Sequence, residues 1–268
     1  MNRSNSEKLW RDLGRGGLAV GVWLAFIVGF FCHVYLRGRA DDLGPAAVSP
    51  AVVESFLFHG IPSIWLQSWF STDTAIITWA TVILHASWFY VPLLLAIVLH
   101  IRCGTQAVAK LFGLLLALFF SADLLFAIVP TQPPWMEYNL VRVVHVAYGD
   151  SASADKNPIA ALPSLHVALP VLLTIWCARR SDSLLRRLAP LLAVWTVAVA
   201  WASIYGGEHY VVDALAGAGW AAVVYSGSLA ATMAMNRISR GSRSPTKIAA
   251  GQQWPAPIEL DREELRAA

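Results

Sequence analysis

Six stretches of the chain, at 17–36, 74–100, 111–129, 162–178, 188–205 and 211–233, run for 17 to 27 residues with almost no charge. A helix of about 17–25 apolar residues crosses the ~30 Å hydrocarbon core of a bilayer. Within that core every backbone N–H and C=O needs an internal partner, which a helix supplies. The expected fold is therefore an all-α integral membrane protein with about six transmembrane helices. Composition agrees, since 57% of the 268 residues are hydrophobic and 14% charged, against about 25% charged in an average protein. Mean hydropathy is +0.55, which excludes a water-soluble globular domain. The first apolar run is longer than a signal-peptide core and lacks a small-x-small site before Asp41, so it reads as a retained anchor.

Residues 51–70 are apolar and aromatic but interrupted by Pro62 and by Glu54, His59 and Gln67. Such a segment suits a helix lying at the membrane interface between the first two spans. The expected organisation is a cytoplasmic N-terminus (1–16), one membrane domain (17–235) and a flexible cytoplasmic tail (236–268), the last too polar to bury a core of its own. Cys32, Cys103 and Cys177 are widely spaced inside or beside apolar runs and read as packing residues.

Charge fixes the expected orientation. With the N-terminus in the cytoplasm, sixteen Lys and Arg residues fall on that side and four, Arg37, Arg39, Arg142 and Lys156, on the other. Short basic loops resist translocation, so both termini are expected inside and three loops outside an integral cell-membrane protein. Eight acidic residues, Asp41, Asp42, Glu54, Asp73, Glu137, Asp150, Asp155 and Glu208, collect in those outer loops. Topology and contact with anionic lipids account for the basic inner loops. Nothing in the pattern calls for nucleic acid.

Two outer loops carry the chemistry. One ends Asn157-Pro158-Ile159-Ala160-Ala161-Leu162-Pro163-Ser164-Leu165-His166 at the mouth of the fourth span. With Pro163 at the first helical position, the amides of Ser164, Leu165 and His166 would point out of the helix end and make an anion site. The Ser164 hydroxyl and His166 imidazole add a donor and a proton carrier. The other loop reads Ser203-Ile204-Tyr205-Gly206-Gly207-Glu208-His209-Tyr210-Val211-Val212-Asp213. On a helix, His209 and Asp213 share a face, so the carboxylate orients one ring nitrogen and leaves the other as a directed nucleophile or base. An Asp one turn inside an apolar helix needs a partner.

The Pro163–His166 and Tyr205–Asp213 stretches resemble the second and third signature motifs of the type 2 phosphatidic acid phosphatase superfamily. Pro130 to Trp135, the run from Asn157 to Ala168 and the His209-Tyr210 pair are most similar to the branch holding inositol phosphorylceramide synthases and their bacterial relatives. The resemblance spans about residues 62–225. It implies a six-helix membrane enzyme, free of metal and cofactor, that transfers a phosphoryl or phosphodiester group of a lipid substrate through a phosphohistidine at the extracytoplasmic face. An inositol-phosphoryl head-group transferase is one such enzyme. His209 would be the nucleophile, Asp213 its orienting carboxylate and His166 the acid for the leaving oxygen, with Ser164 and the Leu165 amide on the phosphate. Tyr205 belongs to the same motif and is counted with the phosphate-binding residues. The Lys and Arg of the superfamily's first motif are missing at the expected spacing, and the third-motif Arg is replaced by Ser203. Arg142 and Lys156 are the candidate substitutes, and a phosphodiester, with one negative charge fewer, fits a site so depleted.

His85, inside the second span, is placed either at the same cavity or in an interhelical hydrogen bond. Asp123 reads as a structural partner of a neighbouring helix and Glu208 as a solvated carboxylate. Two other classes remain open from the residues alone: a proton-coupled transporter with a His/Asp relay, and a zinc hydrolase using His166, His209 and Asp213 as ligands.

Overall fold

The structure, a computed structural model, describes residues 3–143, 145 and 157–241. It is an all-α integral membrane protein. Five helices are long and apolar enough to cross a bilayer. They are α1 (Arg3–Arg37), α5 (Ala75–Cys103), α6 (Thr105–Ile128), α9 (Ser183–Tyr205) and α10 (Val211–Gly241). The sixth apolar helix, α8 (Leu165–Ala178), has 14 residues, because 162–164 of the expected span remain outside the helix. Residues 51–70, expected as one interfacial helix, form two, α3 (Ala51–Phe58) and α4 (Pro62–Trp69), broken where His59 adopts a left-handed conformation. Short helices α2 (Ala40–Leu43) and α7 (Pro134–Glu137) lie in the loops.

The chain divides into two units, residues 1–228 and 229–268. Of the second, the described part is the last turns of α10, which continue through Gly241. The expected tail beyond 241 lies outside the described residues.

Burial ranks the helices of the first unit. Half of the apolar window of α6 is buried, against 11% for α1, so α6 is central and α1 peripheral. Leu111, Leu115, Leu118 and Ala122 of α6 pack with Leu99 of α5 and with Leu169, Leu172 and Leu173 of α8 in one core. Repeats at three and four residues are what brings such a stripe onto one helix face. α9 lies against α8, α5 and α4, and α1 against α6. Phe26 of α1 stacks on Phe112 of α6 with centroids 3.9 Å apart. Asp182 caps α9, its carboxylate accepting from the amides of Leu184 and Leu185 at 2.9 and 3.0 Å, the usual remedy for orphan N–H groups at a helix start.

Asp123 pairs with His33 of α1, whose Nδ1 lies 2.9 and 3.0 Å from the two carboxylate oxygens. The structural partner expected for Asp123 is thus a histidine. Over the far ends of the helices, three extended strands of loop are stitched together. The amide of Val48 donates to Pro130, that of Thr131 to Ile159 and that of Gln132 to Val48. These bonds tie the loop that leads into α8 to the one that leaves α6.

Candidate active site

The start of α8 is held from two sides. The indole Nε1 of Trp88, on α5, donates to the Leu165 carbonyl at 2.8 Å. From α10, the Asp213 carbonyl accepts from the Ser164 amide at 3.0 Å. Helix α10 approaches this closely because of Gly217, where a Cβ would lie 2.3 Å from the Ser164 carbonyl oxygen. Ser164 is the residue before the helix and Leu165 its first, so Pro163 does not occupy the first helical position. The Ser164 amide, expected to point at an anion, is spent on Asp213.

A tight turn delivers the second histidine. Gly207, at φ +76°, takes a backbone region that side chains disfavour. The amides of Glu208 and His209 then both donate to the Ser203 carbonyl, at 3.0 and 3.3 Å. His209 therefore sits in the loop two residues ahead of α10, not on its face as expected. Asp213, in the first turn, reaches back so that Oδ2 accepts from the Tyr210 amide at 2.8 Å, one half of a capping box. The carboxylate of Glu54, from α3, accepts the Val211 and Val212 amides at 2.9 and 3.0 Å. Glu54 is fully buried. Burial raises its carboxyl above the ordinary range, and the two helix amides oppose that rise.

These elements bring His166, His209 and Asp213 together. Nδ1 of His166 is 3.1 Å from Nε2 of His209. On the other side of the His209 ring, Nδ1 is 3.8 Å from Oδ2 of Asp213, beyond hydrogen-bonding distance. His209 Nδ1, Asp213 Oδ1 and the hydroxyls of Ser164 and Ser203 are buried without a hydrogen-bond partner. A buried polar atom left unsatisfied costs about 1–3 kcal/mol, so four around one pair of helix starts make this a locally costly arrangement. The three candidate side chains do not converge on a common point, since His166 and Asp213 address opposite nitrogens of one ring. Among the described residues no cluster of His, Cys, Asp or Glu has an arrangement that holds a metal.

Both histidines face a cavity of about 290 Å³ whose walls also include His85, Glu208, His33 and Arg37. The ring of His85 is 4.3 Å from that of His166, centroid to centroid, which places it at the cavity. Leu165 lines the wall as well, whereas the fully buried Ser164 hydroxyl does not reach it.

Two expected phosphate ligands are engaged elsewhere. Tyr205 is buried and donates its hydroxyl to the Phe70 carbonyl at 3.2 Å. Arg142 holds both oxygens of Glu208, at 2.6 and 3.2 Å, and lies 4.5 Å over the Trp135 ring. Glu208 is accordingly not the solvated carboxylate expected, its side chain being only 12% exposed. Lys156 lies outside the described residues.

Sequence reasoning missed the contribution of α1. His33 and Arg37 are one turn apart near the end of that helix and both reach the cavity. The spacing of four was the available signal. Arg37 is fixed there by the loop before α8, donating to the Asn157 carbonyl at 3.2 Å while its own carbonyl accepts from the Asn157 side chain at 2.8 Å.

Two histidines and a carboxylate are thus gathered where two helices of a membrane-spanning bundle begin. The sequence profile of the PAP2 superfamily matches residues 52–227, and the chain belongs to that superfamily. No curated protein and no solved structure gives a significant match.

Proposed function

We propose that the protein is a phosphatase or phosphotransferase that acts, at the extracytoplasmic face, on a lipid-linked phosphate or phosphodiester through a phosphohistidine on His209. The observation that carries this reading is the line Asp213, His209, His166, with a carboxylate at one ring nitrogen and a second imidazole at the other. In the resting tautomer that the line favours, Asp213 faces Nδ1–H of His209, and Nε2 of His209 accepts the proton of His166 Nδ1. The nucleophilic lone pair and the acid proton are then already paired.

The 3.1 Å contact leaves no room for phosphorus between the rings. Substrate entry separates them, and His166, half-buried beside the cavity, is the partner with space to move, whereas His209 is buried. Nε2 of His209 then attacks phosphorus, the bond from phosphorus to the leaving oxygen breaks, and His166 gives that oxygen its proton. Closing the 3.8 Å gap lets Asp213 accept from Nδ1–H and stabilise the charge that grows on the ring. In the second half-reaction a water or alcohol attacks the phosphorus–nitrogen bond, gives its proton to His166 and restores both histidines. Head-group transfer, including that of an inositol-phosphoryl group, is the alcohol case, and the shortage of fixed cations favours a phosphodiester donor. The extracytoplasmic placement rests on the distribution of Lys and Arg.

The test uses purified protein in detergent with labelled phosphatidic acid, phosphatidylinositol or polyprenyl diphosphate, each with and without an alcohol acceptor. Release of phosphate or transfer of head group by the wild type, abolished by His209→Ala, is the expected result. Turnover that survives His209→Ala overturns the mechanism.

A further inference from the structure

The loop 206–210 that carries His209 has little of its own to hold its ends. It opens with Gly206 and Gly207, which bring no side chain. It closes with Tyr210, the residue before α10, where Ser, Thr, Asp or Asn would take up the first helix amides. A phenol hydroxyl lies too far along its ring for that. Two side chains from α3 and α4 hold the ends instead. At the entry, Nε2 of Gln67 on α4 donates to the Tyr205 carbonyl at 2.7 Å, and the Tyr205 hydroxyl donates to Phe70, the residue after α4. Gln67 also donates to the Val141 carbonyl at 2.9 Å and accepts from the Val141 amide at 3.0 Å, so its donors and its acceptor are both spent on backbone. At the exit, Glu54 of α3 takes the amides of Val211 and Val212, the two residues ahead of Asp213.

Burial along α3 points the same way. Of its residues only Ala51 and Glu54 are buried, while Val52 and Phe56 are about four-fifths exposed. Burying a carboxylate is costly unless it is hydrogen-bonded, and the bonds this one makes are to the start of α10. Neither Glu54 nor Gln67 lines the cavity, so neither meets a substrate there. Their reach is to the residues that do the chemistry. Nε2 of His209 has to meet phosphorus in line with the leaving oxygen, and Asp213 has to close a 3.8 Å gap to Nδ1. A misplacement of about 1 Å in such a constellation costs about 10²-fold in rate. We propose that Glu54 and Gln67 are positioning residues for His209 and Asp213, two ends of one clasp. Helix α4 holds the loop where it leaves α9, α3 holds it where it enters α10, and together they aim the ring. The inference rests on the proposed chemistry for what the ring is aimed at, and not for the clasp itself.

The experiment reads position separately from turnover. Full-length protein in detergent is treated with diethyl pyrocarbonate, and the rate of modification of each histidine is followed by mass spectrometry. In Glu54→Ala and in Gln67→Ala, His209 should react about tenfold faster than in the wild type, as a locally opened loop does. His33, which lines the same cavity in its pair with Asp123, should keep its wild-type rate. With a lipid phosphate that the wild type turns over, kcat should fall about thirtyfold in Glu54→Ala and about tenfold in Gln67→Ala, with KM within about threefold. Glu54→Gln, which keeps an acceptor oxygen at the same reach, should recover part of the loss. Gln67→Glu, which keeps the size and loses the donor, should not. These two variants carry the test should the alanine variants fold poorly. His209 modification and kcat both at wild-type values in the variants that fold overturn the proposal. An equal acceleration at His33 and His209 also overturns it, because it marks a bundle loosened throughout. Turnover that survives His209→Ala would strike the proposed chemistry instead and leave the modification readout standing.

Discussion

Two histidines that line the same cavity, His33 and His209, are each set beside a carboxylate, and the two pairs are built to opposite specifications. His33 and Asp123 join α1 to α6 with both carboxylate oxygens within 3.0 Å of one ring nitrogen, and the His33 ring also stacks on Phe119 at 4.6 Å. His209 and Asp213 stand 3.8 Å apart, each with a buried atom that has no partner, and the free side of His209 meets a second histidine. The first pair is closed and ties two helices. The second is held open by other bonds, since the Tyr210 amide takes the Asp213 oxygen nearest the ring and the Ser203 carbonyl takes the His209 amide. A histidine and a carboxylate near each other therefore do not define a reactive site; an unfilled valence and a third polar group do.

The largest expected effect is that of His209→Ala, which should lower turnover by about four to six orders of magnitude while the protein still inserts and purifies. Because the residues act in sequence, His166→Ala/His209→Ala should lose little more than the single variant in single-turnover measurements. His166→Ala and Asp213→Asn should each cost about 10²–10⁴ in kcat. Asp123→Asn breaks the closed pair, and the comparison predicts the reverse profile: a loss of roughly 3 kcal/mol in stability, read as a lower unfolding midpoint in detergent, with kcat within about threefold of wild type. A kcat loss in Asp123→Asn equal to that in Asp213→Asn would erase the distinction between the pairs.

The smallest effect sharpens the role of Glu54, which caps α10 from outside the spans. Its carboxyl is raised in the folded protein, so the folded state binds this proton more tightly than the unfolded state. The associated stability is full below the ordinary carboxyl range and is lost as pH rises through the raised value. Between about pH 4 and pH 7, the stability of the wild type relative to Glu54→Gln should fall with rising pH. A parallel dependence in the two proteins would show that Glu54 does not titrate in this window.

What the sequence revealed and what it hid divide along physical lines. The spans were legible because hydrocarbon imposes length and apolarity on each of them. The meeting of His166, His209 and Asp213 was legible because they lie within two short motifs. Their local geometry was not, since the Gly206-Gly207 turn delays α10 until Val211 and leaves His209 outside it. Glu54 as the cap of α10 was hidden because it acts across 157 residues, and so was the Arg142–Glu208 pair, whose members are 66 residues apart.

The most direct test of the account is to trap the covalent intermediate. Wild-type protein is mixed with whichever of phosphatidic acid, phosphatidylinositol or polyprenyl diphosphate it turns over, labelled in its phosphate, quenched in alkali within the first turnover and digested for mass spectrometry. The account predicts an acid-labile, alkali-stable phosphoryl group on Nε2 of His209, absent from His209→Ala and discharged when water or an alcohol acceptor is allowed to react. Rapid turnover with no label on the protein, or label that persists in His209→Ala, would contradict it.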